Sequence, residues 1–387
     1  MIFSAGSTAC MRVFALAWLC VSWPALAGDS DALFNEAYAR YQQAIAMGRP
    51  PRETLADART AYTLGRAMYG ESHTNTAGLA MNYGNALVDA NHNAGAGREA
   101  LVEARAVLHE ALAIYERNFG ADSVRLIDPL MALGAAVATQ DERSGQTATN
   151  AAHFFDRAIK LAPAEDGALK AGLYVEAGGN LLQWARSPDA REYFQHAVDL
   201  YDALGPAHAA DAATGHVWLG KLALGQARYS EAAKEFNKAL ATFAADPDQR
   251  ALELVTRGHL VDAYDHLGRT DDATAQAQAI GKAQAWNADV EPEPLVRWEP
   301  KYPAIANLEG GWAKIRFTID AEGRVRDAAV VEHSGAPAFA KATLEAIQKW
   351  RYAPRYVDGV PVATPNNTFT WRFFPDRSNP KIGSHIY

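Results

Sequence analysis

Hydrophobic positions recur every three to four residues over most of this chain, and near residue 311 the spacing changes to every second residue. The first pattern predicts amphipathic helices and the second a half-buried strand, so helical and sheet-containing regions follow one another. The clearest helical unit runs Val217-Trp218-Leu219-Gly220, then Tyr229-Ser230-Glu231-Ala232, Phe236 and Ala239-Leu240, with Pro247 beyond. Two short helices are implied. Gly220, Ala232 and Ala239 are small enough to let them approach, while Leu219, Tyr229, Phe236 and Leu240 fill the groove between them. With Ala232 as marker of the second helix, matching positions fall at Ala58, Ala104, Ala151, Ala190 and Ala273, spaced by 46, 47, 39, 42 and 41 residues. Asp57-Ala58-Arg59 with Met68-Tyr69-Gly70 echoes Glu103-Ala104-Arg105 with Asn118-Phe119-Gly120. The spacing predicts five or six helix pairs over residues 28–287, with an Asn/Gly-rich exposed loop at 91–97.

This unit resembles the tetratricopeptide repeat, in a long variety whose turns or helices exceed the standard repeat of about 34 residues. The resemblance implies an α-solenoid in which each pair buries its apolar face on its neighbours and a concave surface is left. Such a surface serves either to hold an as yet unidentified protein or as a plain spacer, and the pattern favours neither.

Helical spacing stops at Ala288-Asp289-Val290-Glu291-Pro292-Glu293-Pro294, which reads as a short extended linker over 288–296. From Gly311 to Asp320, Ala313, Ile315, Phe317 and Ile319 face one way and Lys314, Arg316 and Thr318 the other. Asp320-Ala321-Glu322-Gly323 is a turn, and Arg324 to Glu332, with Val325, Val330 and Val331, predicts the second arm of a hairpin. Pro337 suits a first helical position, and Phe339, Thr343, Ala346 and Trp350 repeat at helical spacing before Pro354. After a turn at Asp358-Gly359, Thr368 to Phe374 alternates Phe369, Trp371 and Phe373 with Thr370 and Arg372, and Pro375 stops it. The order β-β-α-β predicts a small α+β domain over residues 297–376, one helix on a three-stranded antiparallel sheet, followed by a tail at 377–387.

In that stretch Tyr302-Pro303 with Ala306, Glu309-Gly310, Phe317-Thr318-Ile319-Asp320, Gly323-x-Val325 and Ser334 lead to Trp350-Arg351-Tyr352-x-Pro354 and Asp358-Gly359-x-Pro361-Val362. Together these landmarks resemble the TonB C-terminal domain. The resemblance implies a periplasmic domain, active in energy-coupled transport, that grips outer-membrane TonB-dependent receptors by adding a receptor segment as an extra strand. It carries the pairing strand over to Thr368, Phe369, Thr370, Trp371, Arg372 and Phe373, with Tyr302 and Pro303 as a second contact. Gly310, Gly323, Trp350, Arg351, Tyr352, Pro354 and Gly359 carry over as structural positions. Packing is a competing role for Trp350, Tyr352, Phe369, Trp371 and Phe373, because large aromatics are more often core than contact. The family also implies the inner-membrane motor proteins ExbB and ExbD as partners. Here, however, a helical array occupies the place of the family's proline-rich arm, and no histidine-bearing membrane helix is seen. A periplasmic adaptor without energy coupling is the alternative that this arrangement suggests.

Met11-Arg12, the apolar run from Val13 to Trp23 and the small residues Ala25 and Ala27 fit a secretory signal over 1–27, with cleavage after Ala27. The rival reading is an uncleaved anchor, although Val13 to Ala27 as a helix would span only about 22 Å of a roughly 30 Å hydrocarbon core. Cys10 and Cys20 are the chain's two cysteines and both lie in that segment, so the processed protein would have neither disulfide nor cysteine nucleophile. Of the 387 residues 49% are hydrophobic and 21% charged, a globular composition. The net charge of -8 divides unevenly, since residues 297–387 hold 13 Lys/Arg against 9 Asp/Glu. That argues against a general nucleic-acid binder and permits a local basic face. No phosphate-binding loop, dinucleotide fingerprint, HExxH or GxSxG occurs, and no enzyme, cofactor or metal site is expected. His208 and His216 lack a ligand helix, Asp271-Asp272 reads as a helix start, and Asn366-Asn367-Thr368 is a weak glycosylation match.

Overall fold

The computed structural model describes residues 29–94, 97–139, 145–183, 189–283, 292–303 and 310–374. The signal segment at 1–27, the linker residues Ala288 to Glu291, the motif residues Ala306 and Glu309, and the tail at 377–387 lie outside the described residues. The chain divides into two compact units, one up to Gly215 and one from His216 onward.

The first unit is helical: α1 (Asp29–Ala46), α2 (Pro51–Tyr69), α3 (Thr74–Ala94), α4 (Arg98–Phe119), α5 (Ile127–Ala138), α6 (Gly145–Leu161), α7 (Gly167–Gln183), α8 (Ala190–Leu204) and the first part of α9 (Ala209–Gly225). Helices α1 to α8 pack mainly on their chain neighbours, and α5 also touches α3 and α7, so first helices of successive pairs stack in a row. The second unit continues with α10 (Tyr229–Phe243), α11 (Arg250–His266) and α12 (Thr270–Ala283). Ala58, Ala104, Ala151, Ala190, Ala232 and Ala273 fall on α2, α4, α6, α8, α10 and α12, and all six are buried. The described residues therefore contain six helix pairs.

The reason for the period is a repeated contact. Four residues after the marker, Phe155, Phe194 and Phe236 are fully buried, and each ring lies where a Cβ would stand on Gly134, Gly178 or Gly220 of the preceding helix. A glycine on one helix thus seats an aromatic from the next, each ring contributing about 1.5–3 kcal/mol by burial. The last pair inverts the sizes, with Val261 on α11 and Ala277 on α12, both buried in one cluster. Tyrosine hydroxyls add cross-helix bonds to carboxylates: Tyr62 to Glu110 at 2.6 Å, Tyr83 to Glu103 at 2.7 Å and Tyr193 to Asp156 at 2.6 Å.

The second unit ends in the small α+β domain. Its strands are β1 (Pro294–Val296), β2 (Gly311–Ile319), β3 (Val325–Ser334), β4 (Arg351–Tyr352), β5 (Arg355–Val357), β6 (Val360–Val362) and β7 (Thr364–Phe373), with α13 (Pro337–Ile347) between β3 and β4. The main sheet has the order β3-β2-β7 and is antiparallel. Its inner face is Ala313, Ile315, Phe317 and Ile319 against Ala340, Ile347, Trp350 and Tyr352. Two small ladders complete the domain, β1 with β4 and β5 with β6. The latter hairpin turns at Asp358 and Gly359, both at positive φ (51° and 78°), as a two-residue hairpin turn of this hand requires.

Four local expectations change, the first being that α3 continues through Asn91 to Ala94, where the sequence predicts an exposed loop. Helix α13 ends at Ile347 rather than reaching Trp350; a tighter turn follows, Trp350 N–H bonding the Ile347 carbonyl, because Tyr352 is recruited into a ladder and bonds the Gly323 carbonyl at 2.8 Å. In β3 only Val325 is buried, and Val330 and Val331 are exposed, since β3 lies at the sheet edge and its pairing with β2 shifts twice. The stretch read as linker holds β1 at its C-terminal end, where Val296 enters the core of the last helix pair.

Candidate partner-binding edge

The main sheet has two outer strands, β3 and β7, and they differ in regularity. Pairing with β2 shifts twice along β3, between Lys314 and Ile315 and between Arg316 and Thr318, each time with the extra residue on β3. Asp327, at φ 51°, sits in the second irregularity. Bulges twist an edge and interrupt its row of free backbone groups, which discourages a further strand. Strand β7 has one irregularity, at its N-terminal end, where Asn366 stands at φ 62° and the Asn367 amide bonds the Thr364 carbonyl at 2.6 Å. From Asn367 to Phe373 it runs without a shift opposite Phe317 to Gly311. Seven residues of regular strand thus border the sheet on the β7 side, with no strand beyond them among the described residues.

Side chains on β7 alternate as its pattern predicts. Thr368, Thr370 and Arg372 are exposed, Phe369 and Trp371 are half-buried and Phe373 is buried. Phe369 meets Trp350 edge-on at 4.8 Å, and Phe373 stacks on Phe339 at 4.6 Å. Tyr302 stands edge-on to Phe339 and Phe373 at 5.6 and 6.0 Å, and Pro303 beside it is half-buried. The structure therefore brings Tyr302 to the C-terminal end of β7, although Tyr302 and Thr368 are 66 positions apart in the sequence. Trp350, at 1% exposure, and Tyr352 are core residues, and the Trp350 indole donates to the Trp298 carbonyl at 2.7 Å. Over the half-buried aromatics lies the exposed Arg297, its guanidinium 4.9 Å from the Trp371 ring and 5.1 Å from Phe369.

The motif positions have structural explanations. A Cβ on Gly323, at φ 77°, would collide with the Tyr352 carbonyl, so only glycine lets the turn after β2 lie under β4. Pro354 is buried, and its carbonyl lies where a Cβ on Gly281 of α12 would stand. Gly310 is exposed. Arg351 is 4% exposed, its Nε 3.0 Å from an Asp265 carboxylate oxygen on α11, while another guanidinium nitrogen donates to the Thr274 hydroxyl on α12 at 3.0 Å. Burial raises the Asp265 carboxyl and lowers the Arg351 guanidinium, and the opposite charge pulls each back toward its ionised form. Arg324 also reaches the Thr274 hydroxyl, at 3.4 Å, and the Gln278 amide donates to the Ala321 carbonyl at 3.2 Å. A stacked series, Tyr229 on His266 at 4.3 Å and His266 on Trp298 at 4.6 Å, closes the other side.

The α+β domain is thus seated on α11 and α12 through a buried ion pair, a close backbone approach and stacked rings. Sequence reasoning placed Arg351 within a motif but gave no partner for it. Its partners lie 86 and 77 residues away, and neither Asp265 nor Thr274 differs in type from many others on the helices. The remaining candidates resolve locally. His208 pairs with Asp211 at 3.0 Å and His216 with Glu235 at 2.7 Å. Asp271 and Asp272 occupy the first turn of α12, where carboxylates suit the helix dipole, and Asp272 accepts from Arg269 at 2.8 Å.

Residues 299–374 match the family model for the C-terminal region of the Gram-negative bacterial TonB protein, and the α+β domain is a TonB C-terminal domain. Protein TonB of Vibrio cholerae serotype O1 is 37% identical over 67 residues, 17% of this chain and 28% of that protein. Protein TonB of Pseudomonas aeruginosa is 36% identical over 77 residues, 19% of this chain and 22% of that protein. The chain thus spans 28% and 22% of these curated relatives, and both matches are shorter than the helical region that precedes the domain. Among solved structures, the Assembly Chaperone of RpL4 (Acl4), residues 1–338, aligns with 66% of this chain and 92% of its own at 14% identity and a TM-score of 0.39.

Proposed function

We propose that the protein is exported to the periplasm and that its TonB C-terminal domain binds a segment of an outer-membrane TonB-dependent receptor as an added strand on β7, contributing to transmembrane transport. The observation that carries this reading is the unbroken register of Asn367 to Phe373 at an open sheet border in a domain of this family. Strand addition needs consecutive unpaired backbone groups for affinity and side chains on both faces for selectivity. Thr368, Thr370 and Arg372 provide one such face; Phe369, Trp371 and Phe373, with Tyr302 and Pro303 at the end, provide the other.

The test is binding of a synthetic peptide carrying the N-terminal plug segment of such a receptor to the full chain. Calorimetry and hydrogen exchange should show saturable binding with new protection of the Asn367–Phe373 amides. Binding without protection there, or no binding of any such segment, would remove the reading.

A second reading has its own support. The domain is seated on α11 and α12 by the Arg351–Asp265 pair, unlike a domain on the end of a free arm. That favours an adaptor in which the helix pairs hold another protein and no force passes from ExbB and ExbD. Fractionating cells and sequencing the native N-terminus separates the two. A periplasmic chain beginning at Gly28 supports the adaptor, and a membrane-bound chain retaining Val13 to Ala27 supports contact with the motor.

A further inference from the structure

The outer face of the sheet beside β7 combines cations with short polar side chains. Directly opposed residues of antiparallel strands share a face, and the register opposes Trp312 to Arg372, Lys314 to Thr370 and Arg316 to Thr368. Lys314 is half-buried; Arg316 and Arg372 are exposed. Among the described residues no carboxylate lies within ion-pair distance of any of the three. The acidic residue in register with them is Glu332, opposite Lys314 on β3, which lies on the side away from β7. Across the edge, on the other face, Arg297 is exposed over Trp371 and Phe369. The open border is therefore positive on both faces, within a region of 13 Lys/Arg and 9 Asp/Glu in a chain whose net charge is -8.

Position matters as much as sign. Arg372 lies on the edge strand itself, beside the place an added strand would take. Lys314 and Arg316 stand one strand further back, roughly 10 Å from that place at ordinary strand spacing. Between them and the border lie only Thr370 and Thr368, too short to cover the long cationic stems, which can lean across them. The three cations oppose or occupy alternate positions along β7, so they would meet residues i, i+2 and i+4 of the incoming segment.

We propose that the segment received at β7 is acidic, an extended stretch with Asp or Glu at alternate positions that face Arg372, Lys314 and Arg316. This rests on the strand-addition reading above and narrows it from any receptor segment to one chemical class. The same cations disfavour pairing of β7 with a second copy of itself, because like charges would be brought together. They would also hasten encounter with an acidic partner.

The test uses the full chain and two β-prone peptides of about nine residues, one with Glu at alternate positions and one with Gln in their place. The Glu peptide should bind about tenfold more tightly, as expected when several partly screened ion pairs act together. Raising salt from about 0.1 M to about 1 M, which shortens the screening length from roughly 10 Å to about 3 Å, should abolish the preference. So should joint substitution of Lys314→Gln, Arg316→Gln and Arg372→Gln, three positions outside the core, with unchanged circular dichroism confirming the fold. If both peptides protect the Asn367–Phe373 amides equally, strand addition stands and the acidic preference is overturned, the cations then serving only to guard the edge. If neither peptide protects those amides while the receptor plug segment does, the acidic preference is overturned and strand addition stands; if none of the three does, both readings fall. A preference that survives high salt or the triple substitution also overturns the proposal.

Discussion

Arg351 shows how a single side chain can be conspicuous in sequence and still have its role set by distant residues. Within Trp350-Arg351-Tyr352 it reads as one member of a motif; in the structure its charge is buried against Asp265 and Thr274. Taking one ion from such a pair leaves the other's charge uncompensated and out of water, so Asp265→Ala should cost roughly 3–5 kcal/mol in urea unfolding of the full chain. The apolar double variant Asp265→Leu/Arg351→Met should recover most of that loss, because the desolvation cost of both charges disappears. A single variant as stable as the parent would show that the pair is not buried in solution. His259 on α11 provides a second test. Its ring stacks on Phe236 at 5.1 Å, and burial first, then the nearby Lys221, depress its pKa to about 4. A depressed folded pKa means that the unfolded chain takes up the proton first, so stability is full above about pH 6.5 and falls as the pH drops toward 4. Between pH 7 and pH 5 this group should remove about 2 kcal/mol, a loss that His259→Gln should lack when denaturant midpoints are compared at the two values. Parallel pH profiles for the two proteins would show that the imidazole is not held neutral.

At the scale of elements, the helices and the main strands were readable because each obeys its own period. Ala313, Ile315, Phe317 and Ile319 alternate as a half-covered strand must, and all four are buried. The second helices were found from the marker alanines because one close contact, glycine against ring, recurs in three successive pairs. The bulges were not readable. Asp327 and Asn366 are residue types that tolerate positive φ, but many other Asp and Asn in this chain sit in ordinary conformations. Nor were the short ladders, since β1 and β4 hold three and two residues and exist only because their partners are brought beside them. The approach of Pro354 to Gly281 makes the seating of the small domain testable. A side chain at Gly281 would meet a backbone carbonyl, which yields less readily than a flexible side chain. Gly281→Val should therefore cost about 1–3 kcal/mol by overpacking and raise hydrogen exchange in β1 and β4, leaving α1 to α8 unchanged. Unaltered exchange in those strands would mean that the domain is not held to α12 by this contact.

For the whole molecule, the order of its parts was legible from composition and period alone: a helical array, then a small basic α+β domain with a recognisable series of landmarks. Period suffices for that because helix and strand faces are set by local geometry, 3.6 and 2 residues per repeat, whatever lies opposite. Sequence also marked Thr368 to Phe374 as a strand, and the family resemblance offered Tyr302 and Pro303 as a second contact. Only the tertiary structure decided which border of the sheet stays regular, that Trp350 and Tyr352 belong to the core, and that Arg351 joins the domain to α11 and α12. It likewise lined up Lys314 and Arg316 with Arg372 on one face, from strands separated by the whole of β3 and α13. These features depend on cross-strand register and on buried pairing between residues far apart in the chain. Such contacts leave no period in the sequence, because each is made once, by ordinary residue types whose meaning comes from what folding places beside them.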